Sequence, residues 1–263
     1  MQGPRLQQAR VLMRIDLTGK TAVITGASRG LGEAMSLALA ASGASIALVA
    51  RDVKRLESVR DAIQAAGGTA DLFSGDVTKE DDVAAIAAAV ATRFGHPQIL
   101  INNAGTNIRK NLVDFTLEEF RSVIDSSLIS TFLMCRAFVP GMTGTGYGRI
   151  LNLTSIMSHI SLPGRTAYSS AKTSLLGLTR ALAQELAREG ITVNGISPGP
   201  FGTEMNYPVM QNPEANSQFL ASLPIGRWGE VQEIGALACY LCSEYAGFIT
   251  GTDILIDGGW TAK

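Results

Sequence analysis

The run Thr21-Ala-Val-Ile-Thr25 leads straight into Gly26-Ala-Ser-Arg-Gly-Leu-Gly32, and a helical stretch then continues to about Ala41. This succession of strand, glycine turn and helix constrains the fold more than any other feature of the chain. Glycine reaches backbone conformations closed to other residues, so the chain can turn tightly and lie close to a ligand. The first turn of the helix offers unpaired N–H groups and a partial positive charge. A strand before and a helix after make such a turn a candidate phosphate cradle.

The rest of the chain repeats the same alternation. Strands are expected at Ser45–Val49, Ala70–Phe73, Gln98–Ile101, Gly148–Leu153, Ile191–Asn194 and Asp253–Ile256. Helices are expected at Val53–Ala66, Asp81–Phe94, Leu117–Val139, Ala167–Glu189 and Val231–Leu241. Leu56, Val59, Ile63 and Ala66 share one face of their helix. Alternating strands and helices predict an α/β fold: one doubly wound parallel sheet with helices on both faces. No linker or repeat divides the pattern, so residues 16–263 are expected to form a single domain after a polar extension over 1–15.

Charge and composition exclude several classes. Twenty-two basic and 23 acidic residues nearly cancel, which argues against a basic nucleic-acid or membrane-surface binder. The longest uncharged run, Ala34 to Ala50, is broken by Ser36, Ser42, Gly43 and Ser45 and reads as helix, turn and strand rather than a membrane span. Arg5, Arg10 and Arg14 precede no long apolar stretch, so no secretory signal is expected. Three cysteines suit a reducing cytoplasm. Cys239 and Cys242 lie in an apolar helix without a second Cys/His cluster, so they read as buried packing residues, and no metal is expected.

Five motifs follow in order: Gly26-x3-Gly30-x-Gly32, Asn102-Asn-Ala-Gly105, Ser155, Tyr168-x3-Lys172 and Pro198-Gly199. Together they resemble the short-chain dehydrogenase/reductase family over about residues 17–260. The resemblance implies a Rossmann fold and a bound nicotinamide dinucleotide. It implies that Gly26, Ser28, Arg29, Gly30, Leu31 and Gly32 form the phosphate turn. Asp76 and Val77 would line the adenine, and Asn103, Ala104 and Gly105 the ribose wall. Pro198 and Gly199 carry the last motif, and Thr203 would hold the carboxamide.

The end of the second expected strand bears on the choice of nucleotide. NAD-dependent Rossmann enzymes commonly carry an acidic residue there. Here the order is Ala50-Arg51-Asp52, with Ala50 in the acidic position. Arg29 and Arg51 suit a 2′-phosphate, so NADP(H) is favoured; a register slip onto Asp52 keeps NAD(H) open.

Tyr168 and Lys172 are four apart on an expected helix and therefore share a face. A nearby ammonium and an oxidised nicotinamide would favour the phenolate, so Tyr168 can exchange a proton with a carbonyl or alcohol oxygen. Lys172 would also bind the nicotinamide ribose. Ser155 ends a strand, where open α/β sheets bind ligands, and can orient the substrate oxygen. Thr154 is the neighbouring alternative. One departure from the family is Ser127, which stands where many members carry an Asn that holds a water linked to the lysine. A serine can still donate and accept there.

Candidate pocket walls are 106–110, His159, Leu162, Arg165, 201–223 and Trp260. The segment after Thr203 is long and amphipathic and suits a lid. Arg109, Lys110 and Arg165 suit a carboxylate or phosphate, or equally a solvated rim. Asp81, Asp82, Glu118 and Glu119 begin helices and compensate their dipoles.

The leading reading is an oxidoreductase that reversibly reduces a small-molecule ketone to a secondary alcohol. The 3-oxoacyl-carrier-protein reductases and gluconate or sugar dehydrogenases are the nearest branches. An impaired nucleotide-binding sensor or scaffold is a rival, and no nucleic-acid or membrane partner is expected. The resemblance also implies a homotetramer.

Overall fold

The computed structural model describes residues 14–262. Most of the extension expected over 1–15 lies outside the described residues; Ile15 already packs against the core. Seven parallel strands form one sheet. They are β1 (Thr21–Thr25), β2 (Ser45–Ala50), β3 (Thr69–Ser74), β4 (Ile99–Asn102), β5 (Gly148–Leu153), β6 (Ile191–Pro198) and β7 (Asp253–Ile256). Their order is β3-β2-β1-β4-β5-β6-β7, the doubly wound arrangement the alternation predicts.

The two-residue period of the strands divides the core. In β1, Ala22 and Ile24 face one layer and Val23 the other; Ile46 and Leu48 against Ala47 and Val49 repeat this in β2. The first layer is closed by α1 (Gly30–Ala41), α2 (Val53–Ala65) and α9 (Val231–Cys242). The second is closed by α3 (Glu80–Phe94), α5 (Ser130–Met142) and α6 (Thr166–Leu186). At Gly235 a Cβ would lie 2.8 Å from the Ala38 side chain, so this glycine lets α9 approach α1 closely. Cys239 and Cys242 are free, buried members of that layer, as packing residues should be.

The helices expected over Leu117–Val139 are α4 (Leu117–Ile124) and α5, and the structure adds a π turn that joins them over Asp125–Ile129. Hydroxyls take up carbonyls at this wider turn. Ser130 Oγ donates to Ser126 O at 2.8 Å and Thr131 Oγ1 to Ser127 O at 2.7 Å. The run Leu117–Met142 is long and apolar enough to cross a membrane by length and composition alone. Within it, Leu133, Met134, Phe138 and Met142 are buried in the second core layer.

Strand order reverses between β1 and β4, and the crevice outside the carboxyl ends of such strands is where open α/β sheets bind ligands.

Candidate active site

The glycine turn is built by exclusion. Gly26 and Gly30 have φ of 63° and 59°, in the region that favours glycine. A Cβ on Gly32 would collide with the Gly26 carbonyl oxygen. Helix α1 begins at Gly30, two residues earlier than expected; Arg29 supplies no side-chain cap, and the Glu33 carboxylate reaches back to the Gly30 N–H. Ser28 and Leu31 are half-buried beside the turn. The Asn103 amide donates to Thr25 O at 2.9 Å and Gly26 O at 3.1 Å, and Thr25 Oγ1 accepts from the N–H groups of Asn103 and Ala104. Asn103 therefore clamps the turn instead of offering a free amide.

The two arginines read as phosphate ligands have different surroundings. Arg51 is exposed just after β2 and acts electrostatically on Asp76. Burial raises the Asp76 carboxyl, but the Thr78 N–H and hydroxyl on Oδ1, with Arg51 and Lys79, hold it below its ordinary value. Val77 beside it is buried. Arg29 instead meets Glu204 at 3.4 Å, and Arg55 meets the same carboxylate at 3.0 Å. Asp52 accepts the Arg55 N–H as the cap of α2 and also pairs with the Arg55 guanidinium, so it is not a free ribose ligand.

Thr203 lies over the turn: a Cβ on Gly30 would come 3.8 Å from its methyl. Gly199 donates to Ile256 O at 2.9 Å, and a Cβ there would lie 2.6 Å from Asp257 Cα. Pro198, the last residue of β6, is thereby tied to β7.

Ser155, Tyr168 and Lys172 converge outside β5. Ser155 Oγ accepts from Met157 N at 3.1 Å, and its own proton can be donated to the Tyr168 phenol or to a substrate oxygen. Burial pushes the Tyr168 phenol above its ordinary value, against the pull of the Ser155 hydroxyl and the Arg165 charge. Desolvation is the largest influence on the phenol, and the lowering expected from a bound oxidised nicotinamide is a separate influence. Lys172 Nζ lies 5.8 Å from the centre of the Tyr168 ring and donates to Leu153 O at 2.5 Å. Burial pushes this ammonium down to about 8. Thr154 is buried and bonded within the protein, so Ser155 is the residue with a hydroxyl to spare.

Ser127 sits in the π turn. Its Oγ is buried and has no hydrogen-bond partner among the described residues. A Cβ on Gly105 would lie 3.3 Å from Ser127 Oγ and 3.5 Å from Lys172 Nζ, so both lie on the side where this glycine bears no side chain. Among the described residues no group of three or more His, Cys, Asp or Glu side chains forms a metal site.

This geometry has close counterparts. A family model described as Enoyl-(Acyl carrier protein) reductase matches residues 26–261. Gluconate 5-dehydrogenase from Gluconobacter oxydans is 34% identical over 94% of this chain and 96% of its own. A 3-oxoacyl-acyl-carrier-protein reductase from Pseudomonas aeruginosa is 35% identical over 93% and 98%. The chain belongs to the short-chain dehydrogenase/reductase family. A solved gluconate 5-dehydrogenase from Burkholderia cenocepacia, in complex with NADP and tartrate, superposes with a TM-score of 0.90 at 31% identity. It covers 95% of this chain and 98% of that one.

The substrate side of this oxidoreductase departs from the sequence reading at two points. Lys110 pairs with Glu119, which also completes a capping box with Thr116, so Lys110 is neutralised. Arg109 and Arg165 form no ion pair among the described residues, and burial with the charge of Arg109 lowers Arg165. The expected lid is pinned. Within α8 (Pro213–Ala221), Phe219 stacks on Trp228 with centroids 4.4 Å apart and on Trp260 at 5.3 Å. Sequence reasoning missed Glu204, whose partners lie 149 and 175 positions away. Its only local trace is that it follows Thr203.

Proposed function

We propose that this chain is an NADP(H)-dependent oxidoreductase that interconverts a ketone and a secondary alcohol, with Tyr168 as general acid and base. The observation that carries the reading is the convergence of Ser155, Tyr168 and Lys172 beside the Gly26–Gly32 turn. The bare backbone at Gly26, Gly32 and Gly105 and the amino end of α1 fit a dinucleotide. Gly30, Ser28 and Leu31 complete the turn, with Asp76 and Val77 toward the adenine and Ala104, Pro198, Gly199 and Thr203 toward the nicotinamide. Ala50 offers no carboxylate at the end of β2 and Asp52 is occupied in capping, which favours a 2′-phosphate met by Arg51 and Arg29. The solved relative that holds NADP supports the same choice.

The bound nicotinamide would supply or accept the hydride. Everything else falls to this chain. Ser155 donates its proton to the substrate oxygen, and Tyr168 gives or takes the proton that accompanies hydride transfer. Lys172 supplies positive charge beside the phenol. With an ammonium titrating near 8, it can also exchange a proton near neutral pH. Ser127 Oγ, unpaired and facing the same corridor, suits a solvent molecule bridging to Lys172.

The unpaired Arg109 and Arg165 favour an anionic hydroxy or keto acid over a neutral ketone. Arg165 lies 5.9 Å from the Tyr168 ring. The two segments are joined by a hydrogen bond from Lys110 N to Gly164 O at 3.3 Å. The gluconate dehydrogenase relative matches this chemistry.

The reading also includes a single catalytic domain over 16–263, a cytoplasmic setting and a homotetramer. Three buried free thiols suit a reducing compartment. Fully exposed Phe248 and the exposed apolar residues Val113, Leu117 and Phe132 suit subunit contacts, which light scattering would measure.

The test is NADPH consumption with 5-keto-gluconate, acetoacetyl thioesters and neutral ketones, with NADH and Tyr168→Phe in parallel. Turnover that prefers NADPH and 5-keto-gluconate and disappears in the variant is the expected result. Cofactor binding without turnover of any ketone would favour the sensor reading, and equal use of NADH would overturn the cofactor choice.

A further inference from the structure

The carboxylate of Asp253 opens β7, and the chemistry proposed above makes no use of it. It is almost completely buried. Thr154 Oγ1 lies 2.6 Å from Oδ1; Ser197 Oγ and His159 Nε2 lie 2.5 and 2.6 Å from Oδ2. A Cβ on Gly195 would collide with Oδ1, so only a glycine there lets the carboxylate lie across β6.

These partners surround Ser155 in sequence and in space. Thr154 immediately precedes it. Ser197 Oγ lies 3.0 Å from the Ser155 carbonyl oxygen. His159 follows the short helical turn Ile156–Ser158, whose Met157 N–H donates to the Ser155 hydroxyl. The carboxylate therefore meets the Ser155 segment on both sides, through Thr154 before the serine and His159 after its turn, while Ser197, whose single proton goes either to the carboxylate or to the Ser155 carbonyl, lies between them.

A sheet edge alone does not call for this arrangement. β6 and β7 are already joined by a backbone ladder from Gly195 to Pro198. Removing a carboxylate from water costs several kcal/mol unless its partners compensate. Here every partner belongs to the segment that carries Ser155 or to the residue bonded to it.

We infer that Asp253 and His159 are positioning residues that fix the direction of the Ser155 hydroxyl. This rests on the reading of Ser155 given above. Reorienting a reacting group by a fraction of an ångström costs rate without weakening cofactor binding.

The experiment uses the full chain, NADPH and the ketone selected by the panel. kcat, KM and NADPH affinity by nucleotide fluorescence are read for each variant. Asp253→Asn is expected to lower kcat about 30-fold, with KM and NADPH affinity within about threefold. His159→Leu, at a side chain one-third exposed, is expected to lower kcat about tenfold, and His159→Gln, which keeps a donor, to recover most of that. The leucine and glutamine variants carry the test if Asp253→Asn does not fold.

Ser155→Ala separates the two claims. If it leaves kcat intact, the reading of Ser155 fails. If it abolishes turnover while Asp253→Asn and His159→Leu do not change kcat, the positioning inference fails. In the Ser155→Ala background Asp253→Asn is expected to cost less than about threefold, because its effect passes through the missing hydroxyl. A full multiplicative loss there would overturn the inference.

Discussion

Two cations are buried at opposite ends of the same strand, and their surroundings differ. Arg149, in β5 near its amino end, donates to Ser243 O at 3.2 Å, Gly148 O at 2.8 Å and Gly190 O at 3.4 Å. Its guanidinium also lies 4.1 Å from the Tyr147 ring. Lys172, beyond the carboxyl end, has one protein acceptor, Leu153 O. The two are almost equally buried, at 3% and 5% exposure. Arg149 is a fully solvated charge in which the solvent is protein, and it ties β5 to the end of α9. Lys172 is poorly provided for and is pushed down to about 8. A charge with all its partners holds a fold; a charge with too few is poised to gain and lose a proton.

The strongest way to break this contrast is Lys172→Met. Turnover is expected to fall about 10³-fold, since the charge beside Tyr168 is lost. Stability should move the other way. The folded value near 8 lies below the ordinary lysine value of 10.5, so between these pH values the unfolded chain binds more protons and wild-type stability rises with pH. Below pH 8 the penalty is fully present, about 3 kcal/mol. The variant should therefore melt above wild type at pH 7, with the gap closing from pH 8 to 10.5. Thermal melts across that range check it; a variant that melts below wild type at pH 7 would end the comparison.

Arg149→Met should do the opposite. It removes donors from two buried carbonyls, those of Gly148 and Ser243, and from the partly exposed one of Gly190, and is expected to destabilise the fold by about 3 kcal/mol while NADPH affinity is retained. Arg149→Lys should recover less than half, because an ammonium cannot present the guanidinium fork. Chemical denaturation at constant m value measures both.

Much of this contrast, and of the fold around it, was legible in the sequence. The strand runs, the glycine turn and the Tyr168–Lys172 spacing are local patterns, and local patterns survive in one dimension. Helix α2 is an instance: Leu56, Val59 and Ile63 of its apolar face are buried, while Ala66, read onto the same face, is exposed where the helix ends. The π turn was not legible, because one extra residue per turn leaves the apolar run of Leu117–Val139 unbroken. Nor were the partners of Arg29 and Lys110: the Glu204 pairing spans 175 positions and depends on how the post-Thr203 segment lies. The same holds for Asp253 and His159, 94 positions apart. Sequence reading identified groups that could react but not which of them other side chains had already engaged.

An intermediate effect is expected from Gly195→Ala. The new methyl group must displace the Asp253 carboxylate, at a cost of about 2 kcal/mol. If Asp253 acts only on stability, kcat will be unchanged in the folded fraction. If it aims Ser155, kcat will fall together with the melting temperature. Stopped-flow turnover normalised to folded protein distinguishes these outcomes and sets this glycine apart from Gly235, where a methyl group would disturb only packing between α1 and α9.

The smallest effect concerns Ser127, and it bears on the Lys172 side of the contrast. A buried hydroxyl without a partner costs about 1 to 3 kcal/mol if it stays dry. Ser127→Ala removes that cost, so a dry site predicts a more stable variant with unchanged kcat. A hydroxyl that holds bridging solvent predicts a variant of equal or lower stability and a kcat lower by about three- to fivefold. In that case Ser127→Asn, with a longer donor and acceptor in the same π turn, should restore the rate more than the stability. Ser127 Oγ and Lys172 Nζ lie on the same side of Gly105, 3.3 and 3.5 Å from where a Cβ would stand, so solvent held at Ser127 would stand beside Lys172. A larger solvent isotope effect on kcat in Ser127→Ala would therefore assign the rate loss to proton exchange at Lys172 and not to packing of the turn.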